Sequence, residues 1–332
     1  MGYLTVYDAA HIFSASLIVT QIFGFSVKSG VIISVFVLTN VLILLFYFNL
    51  PRAPADSVNS FIEGFKVGAH RGGSEDAPEN TMGAFQQAID MGVDAIEMDV
   101  SFTLDNVAVA FHDDTVDRVT DGVGRIEELT WEFVQQLNAA AKFRDKAKFP
   151  MERIPTFEEA LELCIKNRMR IIIDVKSPHP LAVPTIVSWY KKYSILYEIA
   201  AVASFFPQVV YEVKRSDNRI ITGHTWRTGF FAYTSDELIE QRFSELHKHF
   251  AAVALDTFYE RFLNSWLWKI SGADLFLVNR KLISPYYIKE WRDRGVNVIG
   301  WTVNDYHEKL HLSLELGVPI LTDRLSDISP RI

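Results

Sequence analysis

Hydrophobic and polar positions follow two regimes along this chain. Up to about residue 50 the apolar residues run on without a polar face, and Val31 to Leu50 contains no charged residue. About twenty such residues suffice for a helix to span a hydrocarbon core. A second run over 9–27 is apolar but carries His11 and Gln21, so the pair predicts an N-terminal membrane region, 1–50, built as a helical hairpin whose strong span is 31–50. A removed signal peptide fits less well, because the chain lacks a basic stretch at its start and the stronger run lies far in. Lys28 and Arg52 leave the orientation open. Pro51, Pro54 and Asp56 end the apolar stretch and predict a linker over 51–65, with a folded domain over 66–332.

Beyond residue 66, short β-rich runs alternate with amphipathic stretches, the pattern of parallel strands joined by crossover helices. The α/β class follows, with strands expected at 67–70, 95–100, 170–175, 200–205, 219–224, 274–279, 297–302 and 318–322. A ninth run, 107–112, is separated from 95–100 by too few residues for a parallel crossover, and the turn at Thr103–Asn106 suits an antiparallel hairpin. The remaining eight predict a (β/α)8 TIM-type barrel. Helices are expected at 81–91, 157–167, 184–193, 207–215, 285–294 and 306–316. No internal repeat is evident, and Gly68 to Gly73 lacks the spaced glycines of a dinucleotide-binding turn.

Composition narrows the field further. With 49% hydrophobic and 22% charged residues the chain has the makings of a sizeable core, which sets disorder aside. A net charge of −8 argues against nucleic acid as partner. The single cysteine, Cys164, can form neither an internal disulfide nor a multi-thiolate metal site.

In a barrel enzyme the chemistry gathers at the carboxyl ends of the strands. Glu97 and Asp99 sit at i and i+2 of one predicted strand and project to one face. Two acids so close raise each other's pKa unless a cation is present, and hard divalent cations prefer carboxylate oxygens, so one Mg2+, or Ca2+ in its place, is the economical explanation. Asp174 ends another apolar strand, followed at i+2 by Lys176. His70 closes the first strand ahead of Arg71-Gly72-Gly73, and antiparallel pairing sets His112 opposite position 97 or 99. Two histidines flanking a metal-carboxylate centre, with Arg71 and Lys176 nearby, are the parts that cleavage of a phosphate ester requires. Any one of these residues alone reads equally well as a satisfied strand-end polar group.

At His70-Arg71-Gly72-Gly73, Pro78-Glu79-Asn80-Thr81, Glu97-Met98-Asp99-Val100 and His112-Asp113 the chain resembles the glycerophosphodiester phosphodiesterase family. The resemblance continues through Asp174-Val175-Lys176, Ser204-Phe205, Gly300-Trp301-Thr302-Val303-Asn304 and Thr322-Asp323, and looks closest to the membrane-bound animal members that act on glycerophosphoinositol and lysolipids. It implies Glu97, Asp99 and Asp174 as metal ligands, His70 and His112 as catalytic, and Arg71 and Lys176 as phosphate contacts. Trp301, inward at the last strands, is expected in the pocket. Many members carry glutamate where this chain has Asp174. The implied reaction yields glycerol 3-phosphate, or lysophosphatidic acid from a lysolipid, plus an alcohol. The implied setting is a cell-surface or endomembrane protein with the barrel lumenal or exterior, and no Asn-x-Ser/Thr sequon is present to report on it.

An insertion over 226–273 is rich in aromatics, among them Phe230, Phe231, Phe250, Phe258 and Trp268. Asp256, Glu260 and Arg261 exclude a transmembrane helix there. A helix at a membrane surface and a helix packed on the barrel share this pattern. Two rival functions fit as well: a phospholipase C or D on intact phospholipids, and a non-catalytic lipid- or partner-binding barrel.

Overall fold

In a computed structural model describing residues 6–327, the alternating region forms one nine-stranded sheet. Its strands are β1 (Val67–Ala69), β2 (Ala95–Phe102), β3 (Ala108–Ala110), β4 (Arg170–Val175), β5 (Ala200–Ser204), β6 (Ile221–Trp226), β7 (Leu275–Asn279), β8 (Asn297–Trp301) and β9 (Ile320–Thr322). β1 pairs in parallel with both β2 and β9, so eight parallel strands close on themselves. β3 stands outside the ring, antiparallel to β2, with Val100 opposite Ala110. Among the described residues ten α-helices of five or more residues accompany the sheet: α1 (Val6–Ile22), α2 (Val27–Phe48), α3 (Ala55–Ile62), α4 (Met82–Asp90), α5 (Phe157–Lys166), α6 (Ala182–Lys192), α7 (Pro207–Ser216), α8 (Leu246–Phe262), α9 (Pro285–Asp293) and α10 (Tyr306–Leu310).

Among the boundaries that depart from expectation, three have local reasons. β6 starts at Ile221 rather than 219, because Asp217 holds residues 217–220 in a turn, accepting hydrogen bonds from Arg219 N and Ile220 N. α6 starts before Pro184, whose missing N–H falls in the first turn, where no intrahelical bond is due. α10 gives way at Leu310 to a wider π-type turn over His311–Glu315.

Strand alternation sorts the core. Ile96, Met98, Val100, Ile171 and Ile173 point outward against Phe85, Phe157 and Leu161 of the helices. Ala95, Ile172, Ala201, Ile221, Leu275, Ile299 and Leu321 fill the inside. The segment read as a linker holds α3, and its Phe61 and Phe65 join that inner layer, stoppering the amino-terminal end of the barrel. Gly68 makes room for the stopper: a Cβ there would lie 2.7 Å from Leu321 and 3.2 Å from the Phe65 ring.

The same end is tied down by charge. Asp274, fully buried just before β7, accepts from Lys214 Nζ at 2.7 Å, Thr222 N at 3.0 Å and Ala53 N at 3.1 Å. Arg52 Nε lies 3.6 Å from the same carboxylate. Asp274→Ala would leave the buried Lys214 ammonium without its counter-ion, so the variant is expected to lose about 3–5 kcal/mol of stability in urea unfolding. A loss under 1 kcal/mol would show that the network is incidental.

α1 and α2 pack on each other as a helical hairpin ahead of this anchor. Ile22, Phe23, Ile32, Phe36 and Tyr47 stay exposed on it. Among the described residues no helix is long and apolar enough to cross a membrane. The span expected over 31–50 is therefore not supported: the side chains of its most apolar part, at 42 and 44–46, lie outside the described residues.

Candidate active site

The polar residues singled out in the sequence converge on one pocket of about 590 Å³ at the carboxyl ends of the strands. His70, Arg71, Glu97, His112, Asp174, Lys176 and Trp301 line it, while Asp99 lies beneath, fully buried. After β1 the backbone doubles back through left-handed Arg71 (φ 52°), Gly72 (φ 81°) and Gly73 (φ 91°). Glycine adopts this region freely and arginine does not. The turn aims Arg71 N at Glu97 Oε2, to which it donates at 2.7 Å.

Glu97 and Asp99 share the inner face of β2, and Asp174 sits beside Asp99 in the β2–β4 register. The three carboxylates offer oxygens within 4.8 Å of one another. Lys176 Nζ lies 3.0 Å from Asp174 and 3.4 Å from Asp99, and Arg71 Nε 3.6 Å from Asp99. Burial, reinforced by Asp99 and Asp174, pushes the Glu97 carboxyl well above its ordinary range. Burial opposes the charge of Asp99 too, but Lys176, His112, Arg71 and His70 hold it below. Asp99 Oδ1 is buried and accepts no hydrogen bond, with the Lys176 ammonium 3.4 Å away as its ion-pair partner. A buried carboxylate oxygen that accepts no hydrogen bond, in an all-oxygen, hard donor set, fits a divalent cation of the Mg2+ or Ca2+ type.

Each histidine has a carboxylate behind it. His70 Nδ1 lies 2.7 Å from Asp323 Oδ1, and its Nε2 is 4.0 Å from Glu97. His112 Nδ1 lies 2.6 Å from Asp113 Oδ1. Such a partner fixes the neutral ring with the proton on Nδ1 and leaves Nε2 to act. Burial draws His112 below its ordinary pKa, as do Lys176 and Arg71, against Asp99 and the Asp113 hydrogen bond. Removing the Asp113 carboxylate takes away a pKa-raising contact. Asp113→Asn is therefore expected to move the His112 titration midpoint, followed by imidazole NMR in metal-stripped protein, further down. An upward move would contradict this assignment of forces.

One sequence reading needs correction. Phe111 N donates to Asp99 O at 3.0 Å, so Phe111, not His112, faces Asp99; His112 lies past the end of β3 and reaches the site from above the ladder rather than opposite 97 or 99. Thr81 caps α4, accepting from Ala84 N at 3.2 Å. Asn80 instead pins Asp99, donating to Oδ2 at 2.7 Å and accepting from Asp99 N at 3.1 Å. Glu79 faces Arg71 and Arg118. Arg118 bridges Glu79 to Asp113, which locks the carboxylate behind His112. Asp323, Asp113 and Arg118 had no assigned role in the sequence, although Asp113 adjoins His112 and Asp323 directly follows the last strand.

A closed parallel barrel with acids, cations and two carboxylate-backed histidines at its carboxyl mouth is the layout of a hydrolytic barrel enzyme. A sequence model of the "Glycerophosphoryl diester phosphodiesterase family" matches residues 70–326, and the chain belongs to that family. It is a phosphoric diester hydrolase that cleaves glycerophosphodiesters. It is 39% identical over 257 residues, 77% of each chain, to human "Glycerophosphodiester phosphodiesterase 1". It is also 31% identical to a "Glycerophosphodiester phosphodiesterase" of Caldanaerobacter subterraneus, over 77% of this chain and 92% of that one. Among solved structures, an Oleispira antarctica phosphodiesterase in complex with its product sn-glycerol-3-phosphate shares the fold, with a TM-score of 0.57, 22% identity and coverage of 84% and 95%.

Proposed function

We propose that the enzyme releases glycerol 3-phosphate from glycerophosphodiesters such as glycerophosphoinositol, glycerophosphoethanolamine and its N-acyl forms, and lysophosphatidic acid from lysophospholipids. The observation that carries this reading is the trio of buried carboxylates set between two carboxylate-backed histidines. Glu97, Asp99 and Asp174 would hold one divalent cation, Mg2+ before Ca2+, which when bound neutralises phosphate oxygens as a Lewis acid. Arg71 and Lys176 orient the phosphate. His70, its Nδ1 proton held by Asp323, takes a proton at Nε2 from the nucleophile, water or the glycerol 2-hydroxyl. His112 delivers a proton to the leaving alcohol, and its depressed pKa makes the imidazolium a readier donor. Trp301, packed edge-on against Phe205 at 5.7 Å, walls the glycerol side.

The test is release of glycerol 3-phosphate from a panel of diesters by detergent-solubilised protein with Mg2+, Ca2+ or EDTA, beside His112→Ala. Turnover lost in EDTA and in the variant supports the proposal; turnover that survives EDTA overturns the metal's role. We further propose that the exposed apolar α1–α2 hairpin holds the protein at a cell-surface or endomembrane bilayer, with the barrel lumenal or exterior. Co-sedimentation with membranes, lost on deleting residues 1–50, is the expected outcome.

A further inference from the structure

The insertion carries a second concavity that the reaction leaves unused. It is an apolar groove of about 520 Å³ walled by Phe206, Phe230, Phe231, Phe243 and Leu255, with Arg242 and Lys248 as its charged lining residues. Phe206, Phe230 and Arg242 line the active-site pocket as well, so the two spaces adjoin. A ladder of rings joins them. Trp301 meets Phe205 at 5.7 Å, Phe205 stacks on Phe230 at 4.9 Å, Phe230 meets Phe231 at 5.2 Å, and Phe231 meets Tyr259 of α8 at 5.6 Å. The ladder is held in place: Asp256 of α8 accepts from Phe231 N at 2.8 Å and Ala232 N at 2.9 Å, and Arg242 donates to Phe230 O and Tyr233 O. The Lys176 ammonium, beside the acids, lies 5.9 Å from the first ring of this path that follows Trp301, that of Phe205. A ligand fixed by its phosphate at Lys176 and Arg71 thus has an apolar track leading out of the site.

We infer that this groove is a subsite for a single aliphatic chain carried by the substrate. The inference rests on the reading of the adjoining pocket as a glycerophosphodiester site. Continuity with that pocket decides the occupant, since a chain tethered to the bound phosphate reaches the groove without a separate binding event. No acidic residue lines the groove, and Arg242, which lines the active-site pocket too, belongs to both spaces.

The experiment compares kcat/KM for diesters bearing chains of two to ten carbons with that for the chain-free diester, as a ratio within each protein. One arm carries the chain on the glycerol and the other on the leaving alcohol. Wild-type protein is expected to gain about fourfold per methylene in at least one arm, levelling once the groove is full. The arm that gains identifies which half of the substrate lies there. Ala251, exposed in the groove, and Leu255, nearly half exposed, can be changed with little risk to folding. Ala251→Trp and Leu255→Glu are expected to flatten the length dependence. A flat ratio in wild type, or an undiminished slope in both variants, overturns the subsite. A flat ratio together with weakened binding of the variants to phosphatidylcholine vesicles makes the groove a bilayer contact instead, and equally overturns it. Failure to cleave the chain-free diester with Mg2+ or Ca2+ removes the reading of the main site, a result distinct from a flat ratio.

Discussion

His70→Ala is expected to lower kcat/KM for a glycerophosphodiester by about 10²–10⁴-fold, the usual weight of a positioned acid or base. The left-handed turn after β1 and the Asp323 contact at 2.7 Å leave the His70 ring one tautomer and one free nitrogen, 4.0 Å from Glu97. Asn304 Nδ2 and Ser74 Oγ, donating at 2.9 Å and 2.6 Å, hold Asp323 in turn. Burial opposes ionisation of that carboxyl, but these bonds and His70 keep it well below the ordinary range. Asp323→Asn is accordingly expected to act in the same direction with a smaller loss, while leaving metal binding intact. Steady-state kinetics with matched calorimetry of Mg2+ binding separates the two effects. A loss under tenfold in His70→Ala would remove this residue from the chemistry.

Asp99→Asn is the second large effect expected. The amide keeps the shape of the side chain but gives up the negative charge at the centre of the cluster, where Lys176, Arg71 and Asn80 all converge. Outer-shell changes at metal sites cost roughly 10–100-fold in affinity, and loss of a direct anionic ligand should exceed that. Activity should fall in parallel and return in part at high Mg2+. The Asn80 contacts can be kept by an amide, so far-ultraviolet circular dichroism should not change. Unaltered Mg2+ affinity would show that the cation, if bound, lies elsewhere.

Local pattern made much of this molecule legible. Alternation placed eight parallel strands within a few residues, and i, i+2 spacing was enough to put Glu97 with Asp99 and Asp174 with Lys176 on inward faces. Relations set by the whole fold were not legible. His70 and Asp323 are 253 positions apart, and only closure of the barrel brings β9 beside β1. The part played by Asn80 was equally hidden, because its side chain is drawn across to Asp99, a charged acceptor on the next strand. α3 was hidden by the prolines around it, and its purpose appears only with Phe61 inside the barrel.

The stopper at the amino-terminal end also sets a direction. Leu50 N donates to Ile270 O at 3.0 Å, and Arg52 reaches Asp274 and Gly295, so the chain leaves the hairpin at the floor of the barrel. The catalytic mouth opens at the roof. The hairpin is therefore joined to the barrel at the end remote from the catalytic mouth, and its attachment leaves the rim around the carboxylates to the loops that follow the strands.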